Sequence, residues 1–198
     1  MKTTSDAANS KGEAMHELAD FLFQAHFLKT LQRSGYAYLG QGRESVAEHS
    51  YLVAMIGLLM SQMTPQADAL KLICMCLLHD FTEARIGDLN SVQKRYVKAD
   101  EAAAAADSFA GLPFASLASR VHAEFNAQRT AEAQLAHDAD QLAFLIDLKV
   151  RAERGYSPAS KWLMHLRARL KTPAGKQLAE TVCQTEHDAW WFADFSKR

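Results

Sequence analysis

Nine glycines and four prolines are all that punctuate 198 residues, while 34 positions are alanine. A chain so poor in turn formers and so rich in the best helix former has to run as long helices joined by short loops. The apolar spacing agrees. Leu18, Phe21, Leu22, Ala25, Leu28 and Leu31 recur every three or four residues, one face of an amphipathic helix over 13–32. Ser45-Val46-Ala47-Glu48 has the form of a capping box, which starts a helix at Val46 and puts His49 at the end of its first turn. That helix should stop near Thr64-Pro65, and the next should run from about Gln66 through Leu78 and into polar residues, with Gly87 as terminator. Further helices are expected over 94–110, from Pro113 to about Phe125, over 130–153 with Thr130 as cap, and at 159–171 and 174–195. Arg33 to Arg43 holds three glycines and reads as a structured loop. With no repeat and no useful β-type alternation, the expectation is an all-α fold. It is one bundle-like domain of seven to nine helices over residues 13–198, after a flexible tail of residues 1–12.

Hydrophobic residues make up 48% of the chain, enough to bury a real core. Lys plus Arg (22) nearly cancels Asp plus Glu (23), which argues against gripping nucleic acid but leaves small anionic ligands open. No signal-peptide pattern is present, and no stretch nears the roughly 18 apolar residues a membrane span needs. Cys74 and Cys76 lack C-x-x-C spacing and, with Cys183, read as small hydrophobes of a reducing compartment. The expected protein is soluble and cytoplasmic, with no membrane partner.

The chemistry concentrates in CLLHDFTEARIGD. An apolar run ends abruptly in His79-Asp80, and Glu83 and Asp88 follow. On a continuous helix His79 and Glu83 stand at i and i+4, and Asp80 and Glu83 at i and i+3. Four ionisable groups at the end of a buried helix are costly unless they bind something, and imidazole with carboxylate suits a divalent cation. The plainer reading is a polar cluster satisfied by nearby backbone. His49 faces core positions and could be a satisfied core histidine. Asp140 lies in an otherwise apolar helix where Asp138 competes with it as the inward acid.

Taken together, ESVAEHS, LLHDFTEARIGD and AHDADQLAFLIDLK resemble the HD-domain metal-dependent phosphohydrolases, and more narrowly the branch containing 5′-deoxynucleotidases. The likeness spans roughly residues 15–155 in matching order. It implies that His49, His79, Asp80 and Asp140 ligate one divalent cation (Mn, Co, Zn, Mg, Ni or Fe) and that Glu83 handles the attacking water's proton. It further implies that Asp88 lies by the scissile phosphate and Arg33 contacts it, with Arg43 preceding the metal-binding helix. Arg33 could also serve as a helix C-terminal charge, and Arg43 as a brace for its loop. The substrate implied is a nucleoside 5′-monophosphate, and the assembly a homodimer. Alternatives on the same scaffold are a phosphodiesterase, a guanosine tetraphosphate hydrolase or a non-catalytic metal-binding regulator. The sequence departs from the bacterial deoxynucleotidases at Ser34, where they carry a Trp that helps exclude the ribose 2′-hydroxyl. Tyr36 or Tyr38 could fill that space or simply pack the loop. His122 and His137 are expected to be peripheral, Glu124 either near the site or on the surface, and Trp190-Trp191-Phe192 core closure or a subunit contact.

Overall fold

The computed structural model describes residues 4–193. Eight helices of nine residues or more occur among them: α1 (Thr4–Phe27), α3 (Val46–Met63), α4 (Ala69–Leu78), α6 (Glu101–Phe109), α7 (Ala115–Ala127), α8 (Ala131–Glu153), α9 (Ala159–Arg169) and α10 (Pro173–Gln184). Two single turns, α2 (Tyr36–Leu39) and α5 (Glu83–Ile86), and a 3-10 turn at Gln93–Arg95 complete the set. Among the described residues the only β pairing is an isolated antiparallel bridge between Gln32 and Ser45. The fold is all-α.

Side-chain caps set most helix starts. Ser45 and Glu48 form the reciprocal capping box at α3, with Glu48 N bonding Ser45 Oγ at 3.2 Å and Ser45 N bonding Glu48 Oε2 at 2.7 Å. Asp68 caps α4, Asp100 caps α6, Thr130 caps α8 and Thr172 caps α10, each accepting from a backbone N–H three residues on. These caps pin the bundle at the starts the sequence predicts for α3 and α8.

α1 ends at Phe27 rather than running to residue 32, α6 starts at Glu101 rather than at 94, and three other boundaries differ from expectation. Helical backbone begins at Thr4, inside the expected tail, whose residues 1–3 lie outside the described residues. The last helix ends at Gln184, and residues 194–195 of the expected span are likewise outside the described residues. The third difference shapes the site. α4 stops at Leu78, so His79 and Glu83 do not share one continuous helix. His79 N still bonds Met75 O, but Phe81 N bonds Leu78 O and Glu83 N bonds Asp80 O, an i→i−3 pattern that winds the chain tighter. Gly87 then ends α5 at φ 78°, a conformation that favours glycine.

α8 is the central strut. Its buried face (Leu135, Ala139, Leu142, Leu145, Leu148) packs among Val53, Met60, Leu72, Met75 and Leu166 from α3, α4 and α9. A second cluster, around Leu28, Val46, Phe81, Phe109 and Ala118, joins α1 to the start of α3 and to α6 and α7. Phe21 stacks on Phe81 at 4.6 Å within it, holding the turn after His79-Asp80 from behind. Trp190, Trp191 and Phe192 are 67–76% exposed, so they do not close this chain's core.

Candidate metal centre and cleft

His49 enters from α3, one turn past the capping box, and is fully buried. His79 is the C-cap of α4 and Asp80 follows it, while Asp140 comes from the middle of α8. The bridge between Gln32 and Ser45, with Arg33 N bonding Glu44 O at 2.9 Å, pins the loop carrying Arg33 beside the start of α3. Four segments distant in sequence thus meet at one point. His49, His79 and Asp140 each offer a ligand atom, all within 4.8 Å of one another. Asp80 Oδ2 lies 3.1 Å from His79 Nε2 and 3.8 Å from His49 Nε2, and Arg33 also holds it at 3.1 Å.

The donor set fits a divalent cation. His79 Nδ1 donates to Cys76 O at 2.8 Å, which aims Nε2 into the cluster; Asp80 and Asp140 favour a proton on that ring in the ion-free chain, and a cation would take its place. The Nε2 atoms of His49 and His79 are buried and make no hydrogen bond of acceptable geometry, although carboxylate oxygens stand 3.0 and 3.1 Å away. Buried imidazole nitrogens without hydrogen-bond partners beside two carboxylates are costly unless a cation takes their lone pairs. The electrostatics point the same way. Burial opposes ionisation of Asp80, yet His79, Arg33 and His49 hold its carboxyl well below the usual range. Asp140 is depressed likewise, against burial, by His49, His79 and Arg33. The cluster attracts positive charge.

Asp138 and Asp140 separate cleanly. Asp138 is 1% exposed and accepts from Lys171 N (2.9 Å), Thr172 N (2.7 Å) and Thr172 Oγ1 (2.6 Å), tying α8 to the start of α10. It is committed to the fold, and Asp140 is the acid at the cluster.

The cluster opens into a cleft of about 520 Å³ lined by Arg33, Tyr36, Asp80, Glu83, Asp88 and Asp140 on one side and by Lys161, Trp162, His165 and Arg169 of α9 on the other. Asp88 accepts from Ser34 N at 2.8 Å, and the Ser34 hydroxyl accepts from Asn90 Nδ2 at 3.1 Å. Tyr36 is buried and donates its hydroxyl to Asp147 at 2.9 Å, so the ring lines the cleft while the polar end is engaged inside. Arg43 is exposed and lines no wall of the cleft; the structure does not bring it to the site. Tyr38 is also exposed. His137 is stacked on Phe125 at 3.9 Å with Nε2 2.9 Å from Phe125 O, and Glu124 is paired with Lys71 at 2.6 Å, so both are occupied elsewhere. His122 is buried against a small side cavity that it shares with His79, Asp80 and Glu83.

Sequence reasoning missed Glu44 and the α9 wall. Glu44 stands 3.4 Å from Arg33 Nε and 3.7 Å from His49 Nδ1, bracing both. Its place directly before the capping box was the available signal.

Burial, then the charges of Asp80 and Asp88, push the Glu83 carboxyl up to about 10. Such an acid stays protonated in the folded chain while it ionises in the unfolded one. The folded state therefore loses stability as pH rises from about 4.5 toward 10. In metal-free protein Glu83→Gln removes that loss, so the variant's Tm advantage over wild type should widen between about pH 5 and pH 9. A difference independent of pH would refute this.

A family model described as HD domain matches residues 25–182. The chain belongs to the HD-domain family. Among its relatives, 5′-deoxynucleotidase HDDC2 of Dictyostelium discoideum is 36% identical over 74 residues, 34% of this chain and 39% of that protein. The chain thus matches about two fifths of that relative's length. A conserved hypothetical protein from Pyrococcus furiosus superposes with TM-score 0.69 at 29% identity, covering 84% of this HD-domain chain and 99% of that one. A predicted metal-dependent phosphohydrolase of Magnetospirillum magnetotacticum gives TM-score 0.65 at 24% identity over 85% of this chain and 90% of the other, a likeness of fold. No helix among the described residues is long and apolar enough to cross a membrane.

Proposed function

We propose that this HD-domain protein is a divalent-metal-dependent phosphomonoesterase that hydrolyses nucleoside 5′-monophosphates, deoxynucleotides among them, to nucleoside and phosphate. The observation that carries the reading is the position of Arg33. Its guanidinium lies 3.1 Å from Asp80 and 4.0 Å from Asp140, at the boundary between the His/Asp cluster and the open cleft. A forked donor there would hold a phosphate beside the residues that would hold a cation.

In this reading His49, His79, Asp80 and Asp140 hold the cation. A divalent ion so held polarises the phosphoryl group and makes water acidic enough to be a nucleophile near neutrality. Arg33 orients the phosphate dianion and neutralises charge as it develops on the equatorial oxygens. Glu83, buried beside Asp80 and facing the cleft, is protonated in the ion-free chain; the positive charge of a bound cation would favour its carboxylate, and in that form it accepts the proton of the attacking water. Asp88, fixed by the Ser34 backbone at the cleft wall, lies where it can pass to the leaving alkoxide the proton that Glu83 takes from water. The partial likeness to a 5′-deoxynucleotidase supports the choice of substrate.

The test is phosphate release from a panel of deoxy- and ribonucleoside 5′- and 3′-monophosphates, with metal stripped and Mn, Co, Zn, Mg, Ni or Fe restored singly. Metal-dependent turnover of 5′- but not 3′-monophosphates is expected. Silence across the panel from protein that retains metal overturns the proposal.

A further inference from the structure

The cleft has an acidic floor and a cationic far wall. Lys161, His165 and Arg169 are spaced four residues apart on α9 and line the same cavity as Arg33, with Lys94 across from them on the 3-10 turn. Ion pairs among the described residues engage Arg33, Lys71, Lys149 and Arg151, and none of Lys94, Lys161 and Arg169. Helix stability does not account for the pattern. Lys161 sits in the first turn of α9, which has no acidic residue, where the helix dipole disfavours a cation. Arg169, in the last turn, is the one position the dipole favours. Between the α9 cations and Arg33 the lining turns apolar: Trp162 meets Phe144 edge to face at 6.0 Å, above the buried Leu166.

We propose that Lys161, His165 and Arg169 form a second anion subsite, so that the preferred substrate is an organic phosphate with a second anionic group. One phosphate lies at Arg33 for hydrolysis, the Trp162–Phe144 surface packs against the spacer, and α9 takes the distal charge. Among nucleotides this chemistry is that of a nucleoside 3′,5′-bisphosphate. A cavity of about 520 Å³ lies within the usual range for small-molecule sites. The inference rests on the cleft being the substrate site proposed above and deepens that reading.

The experiment measures dissociation constants by calorimetry for deoxyadenosine 5′-monophosphate and deoxyadenosine 3′,5′-bisphosphate on metal-loaded Glu83→Gln protein. The same titrations follow in the Lys161→Gln/Arg169→Gln background. The bisphosphate should bind about tenfold more tightly or better, and the ratio should fall to within about twofold of one when both α9 cations are neutralised. Equal affinity with α9 intact, or a ratio that survives their replacement, overturns the subsite. Phosphate release by protein retaining Glu83 is followed alongside. Release from the monophosphate without an affinity gap sinks the subsite alone. A gap that depends on α9, without release from either nucleotide, sustains the subsite and sinks the nucleotidase reading.

Discussion

Replacing His79 and Asp80 together by alanine should leave a folded protein that neither retains a divalent ion nor releases phosphate. The two side chains contribute a buried ring nitrogen without a hydrogen-bond partner and a carboxylate shared by His79, His49 and Arg33. Their removal takes away half of the proposed donor set, while the hydrophobic core around α8 keeps all its members. A catalytic ion supplies several kcal/mol of transition-state stabilisation, so turnover should drop by about a thousandfold or more. Stability offers a second readout. An ion at about 100 times its Kd stabilises the folded state by roughly 2.7 kcal/mol, about 5–10 °C in Tm for a chain of this size. Wild type should show that rise on metal addition and the double variant should show none. Metal content by mass spectrometry, circular dichroism and phosphate release decide the matter together. A folded double variant with wild-type turnover would remove the His/Asp cluster from the mechanism.

Much of this geometry was legible in the sequence because it is set locally. The Ser45–Glu48 capping box and the Thr130 cap are side chains bonding backbone three residues away, so they act within one turn and leave a readable pattern. The convergence of His49, His79, Asp80 and Asp140 was inferred through family likeness, since no local rule brings residues 49 and 140 together. What stayed hidden depends on packing. The stop at Leu78 turns on a switch from i→i−4 to i→i−3 bonding, behind which Phe81 is stacked on Phe21. Lys161, His165 and Arg169 look like any solvated helix face until α9 docks on α8 and turns them into a cleft wall. Arg43 had the right residue type in the right loop, yet it is exposed and lines no wall of the cleft.

Asp138 and Asp140 provide the sharpest contrast between fold and site, two residues apart on one helix. Asp138 satisfies two backbone N–H groups and the Thr172 hydroxyl in a fully enclosed position. The same hydroxyl accepts from Gly175 N at 3.0 Å, so a single carboxylate organises the whole first turn of α10. The fit is tight: a Cβ on Gly175 would clash with the Asp138 carboxylate. Asp138→Ala leaves those donors without partners, and unpaired buried donors cost about 1–3 kcal/mol each. A loss of roughly 3 kcal/mol is expected, about 6–12 °C in Tm, with metal binding retained at temperatures where the variant is folded. Asp140→Ala should do the reverse. Its carboxylate faces His49 and Arg33 at the cleft and bonds no backbone N–H, so the metal-free Tm should move by no more than about 2 °C while ion retention and phosphate release are lost. Thermal melts with and without metal separate the two variants, and equal Tm losses would mean that Asp140 serves the fold as much as Asp138 does.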